Sequence, residues 1–520
     1  MKKVILLIIM CLMLTACNTA SNTANSNPTE NVLRYGITKS IEHLNPILTE
    51  EGHSELQSLV YRGLMKQTET NDVVGDVAKS VTISEDELTY TFMLHEATWH
   101  DGQPITADDV KFTLDQIRTP EVASPYFSDF QTVVAVEIVD KHTVQIKVNE
   151  PTPTLLHKLK VGLLPQHIYE GQDILTAPQN TAPVGNGPYV LKNWSADDVL
   201  TFEANESFYG TTPEIERIIV YTKLDENAKL LRIKSGDLHI AQITPQQKKA
   251  VEAYEHVEVK TLQTADYRAL QFNQQHAQLA DESVRKAINH LINRDQLIQL
   301  VLHGTGEQAF GPLQRSFARA DADVYRLDVT QATKLLQEAG YKKESKYFEN
   351  NDGKVLQFNV IAPITDAVRV SLATVIVEQL QAQGVNAILQ TKDWSNITIE
   401  SEDTFMIGWG SEDDPDTHTY RVFHSTEHAP AGYNYALVDN PDINEALEKA
   451  KGGTREERIE NYATFQQHLA QEMAFSFLVY VDGIYAISDK LVGTSDRILG
   501  HNGFGIMWNI EDWKWEDLDG

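Results

Sequence analysis

The sequence predicts a mixed α/β protein built around more than one core, and two observations carry that expectation. Apolar residues recur with the two-residue period of strands in some segments and with the helical period in others, alternating along the chain. The chain has 520 residues, 42% of them hydrophobic, too many for a single core. Length alone suggests roughly three domains.

The N-terminus reads as a leader. Met1-Lys2-Lys3 precedes an apolar run from Val4 to Leu14, broken only by Cys11. A positive start and a short apolar run fit a signal peptide, because a membrane-spanning helix needs roughly 20 apolar residues. Leu14-Thr15-Ala16-Cys17 resembles the lipobox of bacterial lipoproteins. The resemblance implies loss of residues 1–16 and a diacylglycerol on Cys17, an anchor of the kind that holds stably. Residues 17–30 are polar without apolar period and read as a lipid-anchored flexible tether. The expected location is the extracytoplasmic face of a cell membrane.

The body then alternates. Val32-Leu33-Arg34-Tyr35-Gly36-Ile37 reads as an opening strand, and residues 54–65 have a helical rhythm in Leu56, Leu59, Val60 and Leu64. Residues 88–94 alternate like a strand. Thr106 is a good N-cap for a helix with Asp108 and Asp109 in its first turn and Val110, Leu114 and Ile117 inward. Residues 132–147 suggest a hairpin turning near Asp140-Lys141, and a Pro-Val-Gly-Asn-Gly-Pro turn at 183–188 leads into Tyr189-Val190-Leu191. Residues 216–222 form a further strand. The second half is more helical. Asp281 opens a helix with Val284, Ala287, Ile288 and Leu291 inward; another, with Ala332 and Leu336, is stopped by Gly340. Val368 to Ala382 is a long helix followed by the strand at Val385–Leu389. Phe405 to Trp409 is a strand, 455–473 a helix, and Phe475 to Ile487 a long extended run.

Charge and cysteine remove whole classes of function. The formal charge of −30 repels nucleic acid. No cysteine follows Cys17, so the mature chain has no thiol nucleophile, thiolate metal site or disulfide. There is no Gly-x-Ser-x-Gly elbow, no His-Glu-x-x-His, no phosphate loop and no Gly-x-Gly-x-x-Gly. Carboxylates are abundant, so counting residues leaves a paired-carboxylate hydrolase open.

Four segments in order resemble the extracellular solute-binding proteins of family 5, which serve peptide and nickel ABC importers. They are Tyr90–Leu94 with Trp99-His100-Asp101-Gly102-Gln103-Pro104-Ile105-Thr106-Ala107-Asp108-Asp109-Val110; Pro183-Val184-Gly185-Asn186-Gly187-Pro188-Tyr189; Phe272-Asn273 with Asp281 and Val284-Arg285-Lys286-Ala287-Ile288-Asn289; and Gly408-Trp409-Gly410 with Asp414-Pro415-Asp416. Most of these residues have plain architectural readings, since Asp-Gly makes a turn and paired aspartates open a helix. The resemblance implies a two-lobed periplasmic-binding-protein-like α/β fold of type II, in its large three-domain class, with a hinge between the lobes. Lobe I would take residues 31–60, 183–270 and 485–520, a small accessory domain 61–182, and lobe II 271–484, with crossings near 267–273 and 480–488. It also implies a binder without cofactor rather than an enzyme, one that captures oligopeptides or dipeptides between the lobes. A monomer would deliver them to a membrane permease and its ATPase, and hinge closure would report occupancy.

Site residues follow from the same resemblance. The family's peptide readers hold the ligand amine with an aspartate after the Gly-Trp-Gly-like strand. Here the segment is one residue shorter, so Glu412 is the first candidate and Asp413 the second. A solvated acidic loop is the alternative. Trp409 and Trp394 are candidate pocket walls, Arg369 a candidate partner for a ligand carboxylate, and Tyr35, Asn45 and Tyr433 further candidates from their loops. A nickel or other metal-chelate ligand is the second reading, with His418, His424 and His428 as candidate donors. A receptor for a peptide signal would look the same.

Overall fold

Two long strands, Val257–Phe272 and Phe475–Ser488, run antiparallel through the middle of the protein. Phe475–Tyr480 is buried without a break, as expected of a strand covered on both faces. In this computed structural model, which describes residues 31–48, 54–320, 325–430 and 432–516, the pair sits inside one 11-stranded sheet. Towards one edge Val257–Phe272 pairs with Thr404–Trp409, then Gln357–Pro363 and Asn386–Lys392. Towards the other, Phe475–Ser488 pairs with Ile240–Gln242, then Val32–Gly36, Arg217–Tyr221, Val199–Ala204 and Tyr189–Trp194. The ladder between the two long strands slips between Gln263 and Tyr267. An irregularity of this kind bends and twists a strand, so the sheet can serve two bodies.

Each body has its own interior. The first core runs from Leu33 to Trp513 and includes the four-stranded sheet of Ala78–Ile83, Thr89–Leu94, Thr143–Val148 and Val133–Asp140. The second body has two cores. One packs around helices Glu282–Leu291 and Ala367–Gln383; the other packs around Asp416–Phe423, Pro441–Ala450 and Arg455–Glu472. The fold is therefore the two-lobed α/β periplasmic-binding-protein type. The leader at 1–16, the tether at 17–30 and Cys17 lie outside the described residues. Among the described residues no helix is long and apolar enough to cross a membrane.

Local chemistry explains most elements. The helix Ala107–Ile117 begins with a capping box between Thr106 and Asp109, and Val110, Leu114 and Ile117 are buried. Asp109 also accepts from the Gln166 N–H at 2.8 Å and from Trp99 Nε1 at 3.4 Å, so the signature segment is architecture. The helix expected over 54–65 covers only Ser54–Val60. It stops because the N–H groups of Asn186 and Gly187 take the Val60 carbonyl at 2.9 and 2.7 Å. A Cβ on Gly185 would lie 1.9 Å from that carbonyl oxygen, so the Pro-Val-Gly-Asn-Gly-Pro turn needs glycine for close approach.

Candidate ligand-binding site

A cavity of about 390 Å³ lies between the two bodies. From the first come Glu55, Tyr61, Arg62, Gln67 and Lys160; from the second Trp409, Glu412, Asp413, His418 and Tyr433; from the C-terminal segment Arg497, His501 and Trp508. Its size and mixed aromatic and charged lining suit a small ligand.

The acidic turn divides into separate roles. Asp414 is buried and belongs to its own lobe, accepting from Arg458 through both oxygens, with Nη1 at 2.7 Å. Asp413 accepts from Gln67 Nε2 at 2.6 Å and from Lys160 Nζ, both from the facing lobe. Glu412 lies beside them; burial pushes its carboxyl up, and Asp413 adds to the effect. The anchor carboxylates proposed from sequence are therefore on the wall, but Asp413 already has partners.

Buried donors on this wall without a hydrogen bond among the described residues include Arg497 Nε, Trp409 Nε1 and Trp508 Nε1, with Arg62 Nε and Tyr61 Oη on the facing side. Arg497 is 4% exposed, and its guanidinium stacks 5.1 Å over Trp508. Burial lowers its pKa, against the pull of Glu412 and Asp413. A buried cation without a hydrogen-bonded counter-charge is costly, so this is where an acceptor-rich ligand group would be stabilised most. Arg62 differs in having close counter-charges, Glu511 at 2.8 Å and Asp76 at 3.7 Å, although its Nε also lacks a hydrogen bond among the described residues. Glu55 accepts from Tyr35 Oη at 3.0 Å and from the Met507 N–H at 3.2 Å.

The hinge reaches the same cavity. Asp266, fully buried beside the register slip, pairs with Arg268, accepts from the Asn502 N–H at 3.0 Å and lies 3.0 Å from His501 Nδ1. Gly410, at the end of Thr404–Trp409, lies against the hinge strand; a Cβ there would meet the Ala265 carbonyl at 2.0 Å. His418, on the helix Asp416–Phe423, is buried, and burial holds its ring down to about 4.

Of the remaining sequence candidates only Trp409, Tyr433 and His418 reach the cavity. Trp409 and Tyr433 pack with ring centroids 4.9 Å apart on the cavity. Tyr35 stands behind Glu55, and Asn45 bonds Asn180 Oδ1 at 2.9 Å; neither reaches the wall. Arg369 is buried under Gly408 against Arg268 and lies 3.0 Å from Asp366, so it does not face the cavity. Trp394 is 48% exposed against Phe405. The three histidines do not converge, because the helix ends at Phe423 and the spacing of His424 and His428 is not helical. His424 stacks on Tyr420 at 4.2 Å, and His428 Nε2 lies 2.9 Å from the Val438 carbonyl. Among the described residues no group of three or more His, Asp or Glu could hold a metal. Arg497, His501, Trp508, Lys160 and Gln67 went unread. The signal for the first three is a glycine-punctuated stretch, Gly500 to Gly505, that contains His501 and is flanked by Arg497 and Trp508.

Residues 72–430 match the family model described as bacterial extracellular solute-binding proteins, family 5 Middle. The chain is 33% identical to NikZ from Campylobacter jejuni, solved in complex with Ni(L-His), with a TM-score of 0.85 over 93% of this chain and 99% of that one. It is 24% identical to the oligopeptide-binding protein AppA of Bacillus subtilis over 89% of this chain and 88% of the relative. It is 29% identical to a putative ABC transporter peptide-binding protein of Brucella ovis, over 79% of each.

Proposed function

The chain belongs to the bacterial extracellular solute-binding proteins of family 5, and from that premise we propose that it captures a small carboxylate-bearing ligand for an ABC importer. A metal ion chelated by amino acids is the first reading. The observation that carries it is the set of unpartnered buried donors led by Arg497, which fits ligand carboxylates. The occupied Asp413 points the same way, because a free peptide amine would have to compete with Lys160. That reverses the order of ligands drawn from sequence. The absence of a protein metal cluster among the described residues is compatible with a metal that brings its own ligands. The NikZ relative, whose structure carries Ni(L-His), supports the same class.

A short peptide is the second reading. Glu412 is a buried carboxylate on the wall, and the Bacillus and Brucella relatives are named as peptide binders. Titration calorimetry decides between them, with nickel alone, nickel with two equivalents of L-histidine, and trialanine as the probes. Tight binding of the nickel–histidine mixture and none of nickel alone is the expected result. Binding of trialanine with no response to nickel–histidine would overturn it.

In this reading Cys17 carries the lipid that keeps the binder beside its permease and ATPase. Labelling growing cells with a tritiated fatty acid should then mark the parent chain and not Cys17→Ala; label on neither, or on both, would count against the anchor.

A further inference from the structure

Asp413 and Asp414 are neighbours in sequence with opposite sources of compensation. Arg458, from its own lobe, holds Asp414. Asp413 takes both of its side-chain partners, Lys160 and Gln67, from the facing lobe. Its side chain is 9% exposed and that of Lys160 22%, so the pair is largely withdrawn from water. A second ion pair across the lobes, Arg455 with Asp72 at 3.1 Å, is more than half exposed on both sides and contributes little.

When the lobes part, Asp413 and Lys160 each return to water. Closing them brings both out of water, which is tolerable because each neutralises the other and Gln67 supplies a further donor. The Lys160 ammonium thus stands where a ligand ammonium would otherwise have to stand. It is tethered to the protein, so its local concentration at Asp413 far exceeds that of a free ligand.

We propose that Lys160 is a built-in counter-charge for Asp413, which latches the lobes and excludes ligands that would anchor through a free amine there. Its effect on ligand choice rests on the reading of the cavity above, whereas its effect on closure does not. Neither residue belongs to the hinge, so the latch acts at a point away from the register slip.

The test uses the full mature chain with Lys160→Met, Lys160→Arg and the double variant Lys160→Met with Asp413→Asn. Lys160 is partly exposed, and methionine keeps its unbranched stem, so the fold should persist; near-ultraviolet circular dichroism checks this. Small-angle scattering without ligand reads closure. The expected result is a larger radius of gyration in Lys160→Met, restored by Lys160→Arg. An unchanged radius in Lys160→Met would overturn the latch, whatever the cavity binds. Calorimetry with trialanine reads exclusion. Lys160→Met should bind trialanine about tenfold or more tightly than the parent, and the double variant should lose that gain. No gain in Lys160→Met would overturn the exclusion, and a gain that survives in the double variant would remove Asp413 from it. The nickel–histidine titration of the parent is a separate measurement, so failure of the ligand class and failure of the latch are distinguishable.

Discussion

The cavity is bounded by two buried charge clusters with different degrees of completion. At the hinge, Asp266 has Arg268, His501 and the Asn502 N–H as partners. Burial alone would raise its pKa, but Arg268 and His501 carry it well below the ordinary carboxylate range. On the wall, Arg497, Trp409 and Trp508 retain donors without partners, and Asp413 is satisfied only from across the lobes. The Asp266 carboxylate is partnered and fixes geometry, although Arg268 Nε has no hydrogen bond among the described residues; the open donors on the wall leave binding energy for another molecule. The first should answer to substitution mainly in stability and the second mainly in affinity.

The largest effect should fall on the hinge cluster. Asp266→Asn leaves Arg268 buried without its counter-charge and should cost about 3–5 kcal/mol in denaturant unfolding. A loss below about 1 kcal/mol would mean the two clusters are alike.

Acid should reveal the next effect. Burial holds His418 to about 4, from an ordinary value of 6.5. As pH falls below 6.5 the unfolded chain takes up the proton, while the folded chain refuses it until about 4. His418 therefore costs nothing above that window, and on the order of 3 kcal/mol of stability is lost as pH falls through it. Burial lowers His100 and His239 to about 4 as well, with the same sign. His418→Gln should flatten the decline between pH 6.5 and 4 in urea titrations. An identical slope would show that the folded chain protonates this ring freely.

Arg497→Met tests the incomplete cluster. It removes a buried cation whose Nε has no hydrogen-bond partner among the described residues, so stability should hold or rise rather than fall. Affinity for the ligand should fall roughly 10–100-fold, as expected for losing charge-assisted hydrogen bonds. A stability loss with affinity intact would invert the comparison. Trp394→Ala should be the mildest change, with affinity altered less than about twofold, because the ring lies outside the cavity and is half-exposed.

Legibility differed between fold and site for a physical reason. Local signals predicted the capped helix at Ala107–Ile117, the hairpin of Val133–Asp140 and Thr143–Val148, and the helix Arg455–Glu472. Each depends on neighbours within a few residues. The length of Val257–Phe272 was less legible, because its first half is only partly buried and lacks a continuous apolar run. Within the site, Trp409 ends a strand that could be read from sequence and Glu412 and Asp413 follow it, whereas Tyr433 lies beyond the next helix. Arg369 had the chemistry for a ligand carboxylate, yet Asp366 and Gly408 draw it into the interior.

The sequence by itself determined the alternating α/β class, the apolar faces of the main helices and strands, and the family. These are properties of period and short-range motif, which folding preserves. Only the tertiary structure decided which charges are completed and which are left open. Gln67 and Lys160 lie 346 and 253 residues from Asp413 in sequence, and Arg62 lies 449 from Glu511. Gln67 and Lys160 meet Asp413 through the packing of two lobes across one bent sheet, and Arg62 meets Glu511 within the first core. Whether a buried charge is a strut or a binding group depends on that meeting.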